Sequence, residues 1–121
     1  MYGATCHHMI EGADCGGIIA VTRFPVLPND NVASLLERTH DVMLALFHQV
    51  MGHIAIVGSV VSTTTQWSGT RRTRRTLDNM MRIDPQMTRY EVARRVRALS
   101  FGPWRPYVEL HGFVFELKAP P

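Results

Sequence analysis

Apolar residues fall into separate runs along this chain, and the runs differ in period. Over 31–52, "NVASLLERTHDVMLALFHQVMG", Val32, Leu35, Leu36, Val42, Met43, Leu46, Phe47, Val50 and Met51 recur at spacings of three and four. That spacing gathers them on one side of a helix. Asp30 is placed to cap its start, and Gly52 to end it. The stretches 16–24, "GGIIAVTRF", and 53–67, "HIAIVGSVVSTTTQW", are rich in β-branched residues instead. Both read as strands, the second bulged at Gly58.

The second half is less regular. Ser68-Gly69 marks a turn. Beyond it, alternating Thr and Arg over 70–76 predict a strand pairing back. Leu77, Met80 and Met81 then predict an irregular or helical stretch. A second helix is expected over 84–102, with Asp84-Pro85 at its start and Thr88 with Glu91 as a capping box one turn later. Val92, Val96 and Leu99 form its buried stripe, and Gly102-Pro103 stops it. The last strand is expected over 106–118. A bulge at Gly112 there would bring Val108 and Leu110 onto the same buried face as Phe113, Phe115 and Leu117.

This order, strand, helix, strand, strand, helix, strand, predicts a ferredoxin-like split β-α-β sandwich. It is an α+β fold with one antiparallel sheet and two helices on one face. The expected layout is an irregular segment over 1–15 and a single domain over 16–118. A strand as long and β-branched as 53–65 should not remain an open edge, so a homodimer joined through it is expected.

Composition narrows the class. A chain of 121 residues, 45% of them hydrophobic, can bury a core as one globular domain. No run of 18 consecutive apolar residues is present, so neither a membrane-spanning helix nor a membrane partner is expected. "MYGATCHHMI" lacks the pattern of a secretory signal. Cys6 and Cys15 are too few for a disulfide framework. An intracellular protein with reduced thiols, cytoplasmic or nuclear, follows.

The formal net charge of +3 conceals an asymmetry. Residues 1–70 hold two arginines against five acidic side chains, whereas 71–121 hold ten arginines and Lys118 against five. Arginine grips phosphate or carboxylate at two points and stacks on flat rings. Arg71, Arg72, Arg74 and Arg75 crowd beside the predicted turn. Tyr90, Arg94 and Arg97 share a helical stripe turned away from Val92, Val96 and Leu99. Arg82 and Arg89 lie near the same helix. If these groups converge, they form a basic surface for a polyanion, on which Tyr90 or Trp67 could stack an unpaired base. The expected function is therefore low-specificity nucleic-acid binding, RNA ahead of DNA, by a small accessory protein. The alternative is an interaction factor, of the kind found among viral or phage accessory proteins, that dimerises by its sheet edge and docks an acidic protein partner. "RRTRR" also fits a nuclear import signal.

Other candidate chemistry is sparse. "HGFVF" (111–115) has the Gly-Phe-x-Phe spacing of an RNA-contacting strand in the RRM fold, but it lies on the last strand without a partner motif, so burial of Phe113 and Phe115 is expected. Cys6, His7, His8 and Cys15 include zinc-type ligands at a spacing no common zinc site uses. His40, His48, His53 and His111 stand apart from any evident nucleophile. No glycine-rich phosphate loop or paired carboxylate motif is present. No catalytic residue, metal or cofactor is expected, and the chain reads as a non-enzyme.

Overall fold

A computed structural model describes residues 1–12, 15–70 and 72–118. Its contacts cluster into two compact units, Met1–Pro28 with Ser34–Gly69 and Asn29–Ala33 with Thr70–Pro121. The described residues form a mixed α+β structure with three helices and two separate sheets, one of two strands and one of three. The single ferredoxin-like sheet expected from the element order is not formed.

The first unit begins with a strand where an irregular segment is expected. β1 (Tyr2–His7) pairs antiparallel with β2 (Ile18–Phe24) from Tyr2↔Phe24 to Cys6↔Ala20, and the register slips before His7↔Ile18. The slip is a bulge, which redirects the chain at His7. β1 carries few large apolar residues, so its alternation of Tyr2, Ala4 and Cys6 with Gly3, Thr5 and His7 is a weak signal. The partner strand supplies the missing stability. Tyr2 and Phe24 pack ring to ring across the pair at 5.9 Å.

α1 (Val32–Val57) follows, and it passes through Gly52 to end at Gly58. Gly58 has φ 83°, and its N–H bonds the Ile54 carbonyl at 2.7 Å, so it terminates the helix in the left-handed conformation that glycine tolerates. The strand expected over 53–65 is thus not formed. Its first residues extend the helix, and the rest has no strand partner. Adding a residue to an existing helix gains a hydrogen bond without a new nucleus. Against it stand the few tenths of a kcal/mol by which β-branched residues disfavour helix and the ~1 kcal/mol of an internal glycine, penalties that single-residue propensities put on helix and that tertiary context routinely overrides. The dimer edge argued from that strand disappears with it. Among the described residues α1 alone is long and apolar enough to cross a membrane, by length and composition only. Glu37, Arg38 and Asp41 nevertheless stand within it.

In the second unit, the expected strand over 70–76 is replaced by α2 (Arg74–Met81), capped by Thr73, whose hydroxyl accepts from the Thr76 N–H at 3.3 Å. β3 (Arg82–Ile83) pairs in parallel with β4 (Tyr107–Leu110). α3 (Arg89–Leu99) starts at the Thr88 cap, where Thr88 Oγ1 accepts from the Glu91 N–H at 3.2 Å. Asp84 caps nothing there. Its carboxylate accepts from Gln86 N–H at 2.8 Å and its carbonyl from Met87 N–H at 3.0 Å, closing a turn ahead of the helix. The expected last strand is two: β4 and β5 (Phe113–Glu116) form a hairpin. His111 (φ 51°) and Gly112 (φ 82°) turn it, both left-handed, as a two-residue hairpin loop requires. Met81, Ile83, Leu99 and Pro106 are buried in this unit, and Ala4, Ile18 and Leu46 in the first. Phe113 and Phe115, expected inside, are exposed on β5.

Candidate active site

Polar and aromatic groups gather in the first unit where β1 ends. Its bulge brings His7 and His8 over the Gly16-Gly17 backbone, and the His8 N–H bonds the Gly17 carbonyl at 3.0 Å. The approach requires glycine. A Cβ on Gly16 would overlap the His8 carbonyl oxygen, and one on Gly17 would overlap Ser62 Oγ. The segment after α1 returns along the same edge. Thr63 donates to the Ile18 carbonyl through both its N–H (2.6 Å) and its Oγ1 (3.0 Å). Four residues on, Trp67 donates its indole Nε1–H to the Gly16 carbonyl at 2.6 Å. That bond fixes the indole plane.

The fixed indole meets His7 edge to face, with ring centroids 5.0 Å apart and planes at 82°. His7 Nδ1 lies 2.9 Å from the His8 carbonyl oxygen. A carbonyl can only accept, so Nδ1 carries the proton in that bond. In the neutral ring this leaves the Nε2 lone pair as the acceptor. Trp67 also lines a cleft of about 250 Å³ with Thr5, Ile18, Val21, Arg23, Thr65, Gln66 and Ser68. Hydroxyls, an amide, a guanidinium and an aromatic face therefore line the cleft, and its Trp67 also contacts the imidazole. That volume is below the ~300–1,000 Å³ of a complete small-molecule site. Among the described residues no three His, Cys, Asp or Glu side chains come together to hold a metal ion.

Of the arginines predicted to form a polyanion surface, Arg72, Arg74 and Arg82 are engaged by local partners. Arg71 lies outside the described residues. Arg74 sits 3.6 Å from Asp78, with its guanidinium 4.3 Å over the Trp104 ring. Arg82 pairs with Glu109 at 3.5 Å, and Arg72 points at Met80 Sδ. Arg95 holds Glu91 at 3.3 Å and the carbonyls of Met80 and Arg82 at 3.1 Å each. Arg105 is turned onto the Gly102 and Trp104 carbonyls. Arg75, Arg89 and Arg94 are exposed, as is Tyr90, and Arg97 is exposed with an interaction of its own. Trp67, predicted to stack a base, belongs to the first unit and is bound to Gly16. Each acidic residue of the basic half that meets an arginine sits on the same helix turn or a neighbouring strand. Net charge alone cannot reveal that neutralisation.

The His7–Trp67 pairing spans sixty positions of sequence, so no local motif announces it. The available signals were "GG" at 16–17, a mark of close backbone approach, and the alternation of Tyr2, Ala4 and Cys6 against Gly3, Thr5 and His7.

No protein-family model matches the chain, and no curated protein matches it significantly. Solved structures do. A 4-N formyltransferase from Francisella tularensis is 24% identical, with a TM-score of 0.80 over 95% of this chain and 49% of that one. An uncharacterised Mycobacterium tuberculosis protein, proposed to be a sugar N-formyltransferase, is 22% identical, with a TM-score of 0.75 over 97% of this chain and 52% of that one. The chain thus spans about half the length of these structures. At such identity the likeness establishes a shared fold. It overturns the expectation of a non-enzymatic, RNA-binding or viral-type accessory protein, because the fold is shared with structures described as formyltransferases.

Proposed function

We propose that this chain is part of an N-formyltransferase whose acceptor is an amino sugar. One observation carries the reading: nearly the whole chain follows the fold of two structures, one described as a 4-N formyltransferase and the other as a proposed sugar N-formyltransferase. The chemistry of the cleft is compatible with it. In formyl transfer the acceptor amine attacks the formyl carbon, and a C–N bond forms. The bond from that carbon to the donor nitrogen then breaks, and the proton lost by the acceptor ends on the departing nitrogen. A base is needed at the acceptor nitrogen. In the neutral ring, with Nδ1–H donating to the His8 carbonyl, His7 Nε2 keeps a lone pair with that capacity. Trp67 offers a flat face to a sugar ring. Thr5, Thr65, Gln66 and Ser68 offer hydrogen bonds to its hydroxyls, and Arg23 offers a cation to an anionic substituent.

The test is titration of the chain with a 4-amino sugar and with its 4-hydroxy counterpart, followed by calorimetry. Saturable binding that favours the amine and is lost in Trp67→Ala is expected. Formyl transfer is then followed by mass spectrometry with an N-formyl donor. Equal or absent binding of both sugars, with no formylated product, refutes the reading.

A further inference from the structure

From the apolar surface of α1 and the share of the neighbours' fold that this chain accounts for, we infer that α1 is a docking face for a folded polypeptide body. That body is equivalent to the half of the neighbouring structures with no counterpart here. The inference rests on the shared fold and not on the chemistry of the cleft.

The helix has more apolar surface than its own unit covers. Its apolar positions form one continuous arc, and the structure divides that arc. Leu35, Val42, Leu46 and Val50 are buried or half-buried, with Leu46 the one fully enclosed residue among the twenty-six of α1. Beside them Leu36, Met43, Phe47 and Met51, at spacings that keep them on one stripe, are 41%, 51%, 58% and 46% exposed. A stripe of large side chains this long is not what a self-contained domain leaves in water.

The occupant follows from the comparison. The chain aligns along 95% of itself, yet with only 49% of the Francisella protein. Half of that polypeptide therefore has no equivalent in this chain, while the matched half here exposes a helix face built for burial. A bilayer is a poorer occupant, since Glu37, Asp41 and His48 ring the other side of the same helix and would be drawn into hydrocarbon.

Methionine oxidation reads the face directly, because Met43 and Met51 lie on it and Met9, 92% exposed, is an internal standard. Rates are compared for the chain alone, for the chain with phosphatidylcholine–phosphatidylglycerol vesicles, and for a chimera. In the chimera this chain replaces the matched half of the Francisella protein. In the chimera Met43 and Met51 are expected to oxidise about tenfold more slowly relative to Met9, and Phe47→Asp is expected to remove that protection. Protection in the chain alone with a dimeric mass gives the face to a second copy. Protection only with vesicles gives it to lipid. Either result, or unchanged oxidation in a folded chimera, overturns the inference. Should the chimera not fold, the isolated chain decides. Phe47→Asp must leave its circular dichroism and melting temperature unchanged, and a loss of structure would mean that the face is already covered within the chain. No arm measures formyl transfer, so this inference and the catalytic reading fail separately.

Discussion

The two units use their residues in opposite ways. The first has little charge and places a few side chains with care: an imidazole against an indole, an indole on a backbone carbonyl, two glycines beneath. The second has most of the arginine, and Arg74, Arg82, Arg95 and Arg105 are engaged locally, by Asp78, Glu109, Glu91 and backbone carbonyls. The contrast teaches that abundance of a residue type is a poor guide to where chemistry sits. Charges placed three or four residues apart on a helix, or opposite one another in a sheet, neutralise each other. A site needs groups fixed by contacts that run across long sequence separations.

Substitutions can sharpen or break this contrast. Leu46→Ala in the first unit and Leu99→Ala in the second each remove a buried side chain and should cost about 3 kcal/mol by urea denaturation, whereas Phe47→Ala should cost almost nothing. Equal losses at Leu46 and Phe47 would mean that α1 buries both sides. Gly16→Ala forces a Cβ onto the His8 carbonyl and should cost about 2 kcal/mol. Its NMR spectrum should show the His7 and Trp67 ring protons shifted together. If only one ring moves, the two are not coupled as described. Trp67→Phe keeps a ring but loses the Nε1–H bond to Gly16, for about 1 kcal/mol. It should weaken amino-sugar binding more than it lowers stability. Thr88→Ala, a cap in the second unit, should also cost about 1 kcal/mol, with binding untouched. Last, Arg74→Ala breaks an exposed pair with Asp78 and should change stability by roughly 0.5 kcal/mol or less. A salt-sensitive loss several times larger would restore a collective role to the arginines.

Some elements were legible because their signal is local. The helix from Val32, the strand Ile18–Phe24 and the Thr88 cap each follow from spacing or from one hydrogen bond between near neighbours. The errors lie where a neighbour decided. "YGATCH" is a strand because β2 accepts it in register. "HIAIV" is helical because it follows a helix already formed. "HG" at 111–112 is a turn because both residues take positive φ, a choice that separates a hairpin from a bulge only once two strands face each other.

The sequence by itself determined the mixed α+β class, the main helix and the uneven division of charge, since these depend on periodicity and counting. The tertiary structure decided that Arg74, Arg82 and Arg95 are paired locally, that His7 and Trp67 meet across sixty positions, and that one side of α1 is left uncovered. Those outcomes depend on which surfaces are brought together at hydrogen-bond and van der Waals range. A one-dimensional pattern of apolar and polar residues does not encode that distance.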